Sequence, residues 1–505
     1  MHHCLRIPEI VHLVVAEAYG SKEGLKTLAA LARTCRFFEG PALDEMWKRP
    51  GHKTLLYIVR TFPGGLFTID NDFNITLIAG VREDHWERPL RYCRRIREFT
   101  FSDEAQIDIL RNLCLWLPED VLFPNLRQLH FRAAGSLGVS ETNLLRQLIP
   151  PGLCSLRVTK PSRQILSILP FITRRIRSLH SLNFDPYSLL FDSASPSATP
   201  ALSMFICCFA ALQTLFLPVV DRKILRHIAK LPNLCELELW RFEPDLSEGD
   251  LQSLSSYPRF PSLRRLEIGT ITDRITASMA SVLAAPSLED LSISNTTDSF
   301  GISNFYGEVT KPGRDFSSLR IFKHHSTFGP CTISGKMLFQ LSRYSNLRTL
   351  DIVMASVIGV DDAAIESASQ SWPALTSFCL KQLHEDPPRT TLAALVSLAR
   401  NCTNLHSISL AFDTTIVPPM PQASTGRWIQ NHQLAKVDVG YSRVDTTFPI
   451  ASFLSALFPR LARISASWED DEEDPEGTEM SAKWKKVEDL VPQLAAVRAE
   501  GANLQ

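Results

Sequence analysis

At 505 residues the chain is long enough for several separate cores, and its 45% hydrophobic and 21% charged content is that of an ordinary water-soluble protein. A formal net charge of −1 excludes the global field that would draw nucleic acid or an anionic membrane surface, so neutral or protein partners are expected rather than a polyanion. Eleven cysteines, an odd count with no C-x-x-C pair, argue for reduced thiols and a cytoplasmic or nuclear location (or both) rather than a disulfide framework or a zinc knuckle.

The first fifty residues have helical spacing. Met1-His-His-Cys leads into an apolar run broken by Glu9 and His12, which makes a poor signal peptide. No stretch approaches the roughly 20 apolar residues that span a membrane, so the Asn-x-Thr triplets at Asn74, Asn295 and Asn401 read as chance matches. Pro8 suits a first helical turn ahead of Ile10, Val11, Leu13, Val14 and Val15, and Gly20-Ser21 ends that helix. Leu25, Leu28, Ala29 and Ala32 form an i, i+3, i+4, i+7 stripe, widened by Leu31 and Cys35. After Gly40-Pro41 a third short helix is expected to carry Ala42, Leu43, Met46 and Trp47. Three helices this short bury too little to stand alone, so they should lean on the rest of the chain, on a partner, or on both.

The strings Leu5-Arg-Ile7-Pro8-Glu9-Ile10, Leu28-Ala-Ala-Leu31-Ala-Arg-Thr34-Cys35-Arg36-Phe37 and Pro41-Ala-Leu43-Asp-Glu-Met-Trp47 resemble an F-box. Many F-boxes have Leu-Pro where Ile7-Pro8 stands, and Phe37 or Phe38 holds the usual second tryptophan position. The alternative is a bare cap on the open end of the repeats that follow.

Beyond a bridging region, in which Leu55–Val59 reads as helix, a new period begins. Asn233–Leu239 contains Leu234, Leu237 and Leu239 in the spacing L-x-x-L-x-L, whose end alternates like a strand with one buried face. The frame recurs at Leu126, Leu212, Leu263, Leu288, Leu347, Leu375 and Leu405, and more loosely at Ile96, Leu153, Leu179, Leu319, Leu434 and Leu461. Fourteen copies at about 28 residues each predict a leucine-rich-repeat solenoid. Its class is α/β, with parallel inner strands and outer helices. Helical stripes fall between strands at Ile224/Leu225/Ile228/Leu231, Ile275/Met279/Val282/Leu283 and Leu392/Leu395/Leu398/Ala399, and Ser247 with Asp250 suits a helix start. The third apolar position is rarely followed by the asparagine or cysteine of the stricter repeat type; Ala134, Phe242, Ile271 and Leu383 stand there, so irregular repeats are expected. Turn formers mark exposed loops at Ser193–Pro200, Thr296–Phe316, His384–Thr391 and Asp413–Arg427. Arg88, Arg91, Arg94, Arg95 and Arg97 lie among Glu83, Asp84, Glu87 and Glu98, the pattern of a self-paired surface. The six acids Glu469–Asp474 read as a solvated loop, and Trp484, Val487, Leu490, Val491, Leu494 and Val497 as an amphipathic capping helix. The expected division is therefore 3–48 F-box-like, 49–94 bridging, 95–467 solenoid, 468–479 acidic loop and 480–505 cap.

Catalytic motifs do not surface. Gly329–Met337 has five residues between its glycines instead of the four of a P-loop, and Met337 replaces the hydroxyl that would hold magnesium. His324-His325 point to opposite faces of a strand, a poor chelate. Neither a metal nor a cofactor is expected, nor an enzyme.

The whole resembles the divergent F-box/leucine-rich-repeat proteins of the fungal type. That resemblance implies the substrate receptor of a Skp–cullin–F-box ubiquitin ligase. Leu5, Ile7, Pro8, Ile10, Leu28, Leu31, Leu43 and Trp47 would then bind the Skp-type adaptor, and through it a cullin. The alternative is a repeat scaffold with no ubiquitin role. For the target, outward strand positions are mostly small or polar (Ser155, Ser181, Asn183, Thr214, Ser292, Ser407, Ser409), so Phe216 and Trp240 stand out. With Glu236, Glu238, Arg265 and Glu267 beside them they have the composition of a binding hot spot, unless a loop such as Ser193–Pro200 covers the rings.

Overall fold

Each of the fourteen frames ends on its own strand in the computed structural model, and every neighbouring pair recorded among those strands is parallel. The residues described are 7–51, 53–69, 75–101, 107–132, 139–161, 163–185, 198–242, 260–269, 285–294, 303, 305–307, 309, 317–326, 332–355, 358–419, 429–468 and 474–502. They divide into two units, Met1–Leu231 and Pro232–Gln505.

The first unit opens with α1 (Pro8–Tyr19), α2 (Gly24–Thr34) and α3 (Arg36–Lys48). Val11, Val15 and Leu28 form their common core, with Leu31, Phe38 and Met46 packed around it. The α1–α2 turn needs Gly24, because a Cβ there would lie 2.1 Å from the Tyr19 carbonyl oxygen. Two expectations change here. Helix α3 begins at Arg36, so Gly40-Pro41 lies inside it; proline's fixed φ is helical and costs one hydrogen bond. Leu25 is exposed, so the inward face of α2 runs through Leu28 and Leu31 instead.

Next come α4 (Thr54–Val59), an antiparallel hairpin of β1 (Phe67–Ile69) and β2 (Ile75–Leu77), and α5 (Glu87–Cys93). Five parallel strands follow: β3 (Glu98–Phe101), β4 (Gln128–Arg132), β5 (Ser155–Thr159), β6 (Ser181–Phe184) and β7 (Thr214–Leu217). Their helices are α6 (Ile107–Leu115), α7 (Val139–Leu148), α8 (Arg163–Ile172), α9 (Ala198–Ile206) and α10 (Arg222–Ile228). The expected stripe on α10 is buried through Ile224, Leu225, Ile228 and Leu231. Three of the five clustered arginines are ion-paired among the described residues: Arg91 with Glu87, Arg94 with Glu119, and Arg95 with Asp44, the Arg95 guanidinium also donating to the Gly40 carbonyl.

The second unit carries β8 (Glu236–Leu239), β9 (Arg265–Ile268), β10 (Asp290–Ser294), β11 (Ile321–Ser326), β12 (Ile333–Ser334), β13 (Thr349–Met354), β14 (Ile358–Gly359), β15 (Ser377–Gln382), β16 (Ser407–Leu410), β17 (Lys436–Asp438) and β18 (Arg463–Ser465). Strands β12 and β14 pair apart from the others. Register places Leu237, Leu266, Leu291, Phe322, Leu350, Phe378, Ile408, Val437 and Ile464 in one row, and every member is buried. Each such side chain contributes about 1.5–3 kcal/mol relative to exposure.

The residue before the first leucine of several frames reaches one repeat back. Asn125 Nδ2 donates to the Arg94 carbonyl (2.8 Å), Ser262 Oγ to Pro232 (2.6 Å) and Ser318 Oγ to Pro286 (3.0 Å). Asn346 Nδ2 donates to Ser317 (2.7 Å) and Asn404 Nδ2 to Pro373 (3.1 Å). Turn carbonyls left without a strand partner are thereby satisfied.

The segments expected as loops divide. Residues 198–200 are the first turn of α9, whose Thr199 is buried, while 193–197 lie outside the described residues. Phe305, Tyr306 and Val309 are helical and buried, contrary to an exposed Thr296–Phe316 loop. Apolar residues inside a polar-looking stretch turn it inward. The stripe at Ile275–Leu283, the Ser247/Asp250 helix start and positions Ala134 and Ile271 lie outside the described residues.

The final helix begins at Pro475, five residues before the boundary read from the sequence, with Asp474 Oδ1 accepting from the Gly477 amide at 3.0 Å. Trp468, assigned above to the acidic loop, is buried; its indole N–H and that of Trp484 both donate to the Ser442 carbonyl, at 3.1 and 2.7 Å. Glu469–473 lie outside the described residues. No described helix is long and apolar enough to cross a membrane, and the described cysteines are free thiols.

Candidate functional site

Helix α1 has two apolar faces. Val11 and Val15 point into the three-helix core, whereas Ile7, Leu13 and Val14 are 45%, 71% and 43% exposed. Ile10 is half-buried, and Pro8 is exposed at the helix start. A helix folded only against its own unit has one apolar stripe, so the second face is unused surface. Leu25 and Phe37 are exposed on the two following helices. Leu5 lies outside the described residues. Leu28 is fully buried in the core of the three helices, so its surface is already used within the chain; Leu31, Leu43 and Trp47 are half-buried. Trp47 packs against Tyr92 with ring centres 4.6 Å apart and the rings tilted by 37°, and the Arg97 amide donates to the Lys48 carbonyl (3.1 Å). The end of α3 is thus tied to the start of the repeats.

The outward positions of β8 and β9 bring five of the six target residues together. Glu236 pairs in register with Arg265, and Glu238 with Glu267. Arg265 lies 3.9 Å from Glu267 and 3.8 Å from Asp290, a neighbour the sequence reading omitted. Burial, then Glu238, holds the Glu267 carboxyl above its ordinary pKa, against the pull of Arg265. Trp240 is half-buried and donates its indole N–H to Glu238.

No family model matches the chain, and no curated protein matches it. Among solved structures it is similar to one described as the crystal structure of the Rad7 and Elc1 complex in yeast. That likeness has 16% identity and a TM-score of 0.37, over 73% of this chain and 75% of the other. So distant a likeness carries no weight for function.

The sixth residue, Phe216, belongs to the first unit. It borders a cavity of 220 Å³ on the outward face of β3–β7, with His130, Arg157 and Asn183. Burial, then Arg157 and Arg132, holds the His130 imidazole below its ordinary pKa. This surface is mostly polar, with Glu98 and Arg157 balancing each other among its lining residues, where that of β8–β10 is acidic, so the described patches differ in chemistry. Among the described residues no cluster of His, Cys, Asp or Glu suits a metal ion. Burial pushes the thiols of Cys114, Cys379 and Cys402 up to about 12, far from a nucleophile's range. His324 is buried and His325 half-exposed, on opposite faces as their adjacency requires.

Gly269 was missed from the sequence, although it occupies the same place after its frame as Trp240. A Cβ at Gly269 would lie 2.5 Å from Trp240 Cδ2 and Cε3, so the indole rests directly on that backbone. Gly269→Ala must displace the ring. The expected cost is about 1–3 kcal/mol, with a changed near-ultraviolet circular dichroism signal. An unaltered spectrum and melting temperature would show that the indole does not rest there.

Proposed function

We propose that this chain is the substrate-recognition subunit of a Skp–cullin–F-box ubiquitin ligase. Helices α1–α3 bind a Skp-type adaptor, and through it a cullin, while the outward strand faces hold a target protein. The chain makes and breaks no bonds in this role: it raises the local concentration of the target at an enzyme carried by the complex. It would act in the cytoplasm, the nucleus or both.

The observation that carries this reading is the second apolar face of α1. Leaving Ile7, Leu13 and Val14 in water forgoes their burial free energy, and a partner surface recovers it. The scaffold reading is favoured by the contacts of α3 with Tyr92 and Arg97, which suit a cap. A cap accounts for α3, however, and leaves the outer face of α1 without a purpose.

Copurification with a Skp-type adaptor tests the choice. Ile7→Ala with Pro8→Ala should weaken adaptor binding by about tenfold or more, while the repeats melt as in the wild type. Leu13→Ala should act in the same direction. Wild-type protein that does not hold the adaptor leaves the capped scaffold as the function.

A further inference from the structure

Two adjoining cavities open on the helical face of the first unit, across the C-terminal ends of α6, α7 and α8. They measure 390 and 660 Å³ and share Asn143, Arg146 and Arg175, so they form one continuous groove. Leu115 at the end of α6 is 75% exposed and Phe171 near the end of α8 is 67% exposed. These are two of the four most exposed large apolar side chains among the described residues. Ile168 lines the groove beside Phe171.

The rim has the opposite chemistry. Arg146, Arg174 and Arg175 line the groove, and no ion pair is recorded for any of them among the described residues. Other charges nearby are already matched: Arg111 with Asp108 (2.5 Å) and Glu119 with Arg94 (2.7 Å). Asp120 alone remains at the edge against three guanidinium groups. Arginine in or after a last helical turn offsets the negative end of the helix dipole, which would explain the charges. It does not explain a phenyl ring and a leucine left in water beside them.

We infer that this groove docks a protein segment in which acidic residues alternate with large apolar ones. Charge complementarity selects the acidic side chains, because carboxylates match guanidinium forks in a two-bond geometry. The exposed apolar side chains of Leu115 and Phe171, with Ile168, select the rest. Nucleic acid would use the arginines and stack a base on Phe171 but gain little from Leu115 and Ile168. An anionic membrane would use the same charges without selecting a spacing. An acidic-apolar segment engages the guanidinium groups and all three apolar side chains together. The surface is distinct from both the α1 face and the outward strand faces.

The test uses the full chain and a fluorescein-labelled peptide of about twelve residues alternating Asp or Glu with Leu or Phe. A second peptide replaces its apolar residues with serine. Phosphatidylserine vesicles and a single-stranded oligonucleotide complete the set. The amphipathic peptide should bind, more weakly as salt rises. Arg146→Glu with Arg174→Glu, and separately Phe171→Ser, should each cost about tenfold in affinity. All three side chains lie at the surface, so an unchanged melting temperature certifies the variants as folded. The inference is overturned if both variants bind like the wild type, or if the serine peptide binds as tightly. It is also overturned if vesicles or oligonucleotide bind through these arginines while the peptide does not.

Discussion

Replacing Leu350 by alanine is expected to destabilise the second unit by about 2–5 kcal/mol. Leu350 is fully buried on β13, opposite Phe322 on β11 and Phe378 on β15. Both neighbouring strands are hydrogen-bonded to β13, so the backbone cannot move inward to fill the void. Loss of transfer free energy and an uncollapsed cavity then add, which places the cost in the upper part of the range for such truncations. Thr349→Ala on the same strand is the control: its side chain is half-buried on the other face and should change stability by under about 0.5 kcal/mol. Urea unfolding followed through Trp372, Trp468 and Trp484, all in this unit, reads both variants. Equal midpoints for the two would mean that the leucine row is not the core face.

That row is also what made the fold legible. A strand with one buried face must repeat every second residue, and a stacked repeat must bring the same face back at a fixed interval. The positions named in the frames are accordingly buried from Ile96 to Ile464. What failed to show in the sequence depends on partners distant along the chain. Trp468 belongs to the core because the Ser442 carbonyl is waiting for its indole, which no local spacing reveals. Ser193–Pro200 looked like a loop by composition, yet proline near a helix start is favourable, and Pro200 stands in the first turn of α9. The candidate site divides in the same way. Trp240 was visible as an aromatic at an outward position; its support by Gly269 and the closeness of Asp290 needed the register. Leu28 matches an adaptor position by motif, and only the packing shows that its side chain on α2 is spent in the core against Val11 and Val15 of α1. The outward turn of Leu13 was not separable from an ordinary core stripe, because α1 is apolar on both sides.

Acidification should weaken the second unit through one exception to the leucine frame. His324 occupies a third-leucine position of β11, in register between Ile293 and Ile352, and is 1% exposed. Its Nδ1 lies 3.1 Å from the hydroxyl of buried Tyr306. Burial, and secondarily the neighbouring His325, lowers its pKa from 6.5 to about 3. The folded state therefore holds a neutral imidazole while the unfolded chain takes up a proton below pH 6.5. Because the unfolded state binds the extra proton, stability is complete above that pH and falls as the pH drops towards about 3. At about 1.4 kcal/mol per unit, the loss at pH 5 relative to pH 7 is about 2 kcal/mol. His324→Leu with Tyr306→Phe restores an apolar frame and removes both members of the polar pair. Other titrating groups, including the Asp351 carboxyl that, against the opposing effect of burial, His325 holds below its ordinary pKa, are common to both proteins and cancel in the comparison. Urea midpoints measured at pH 7 and pH 5 should therefore fall further in the wild type than in the double variant, by that same margin. Parallel losses would show that His324 takes up its proton without unfolding, and that the site is wetter than its burial implies.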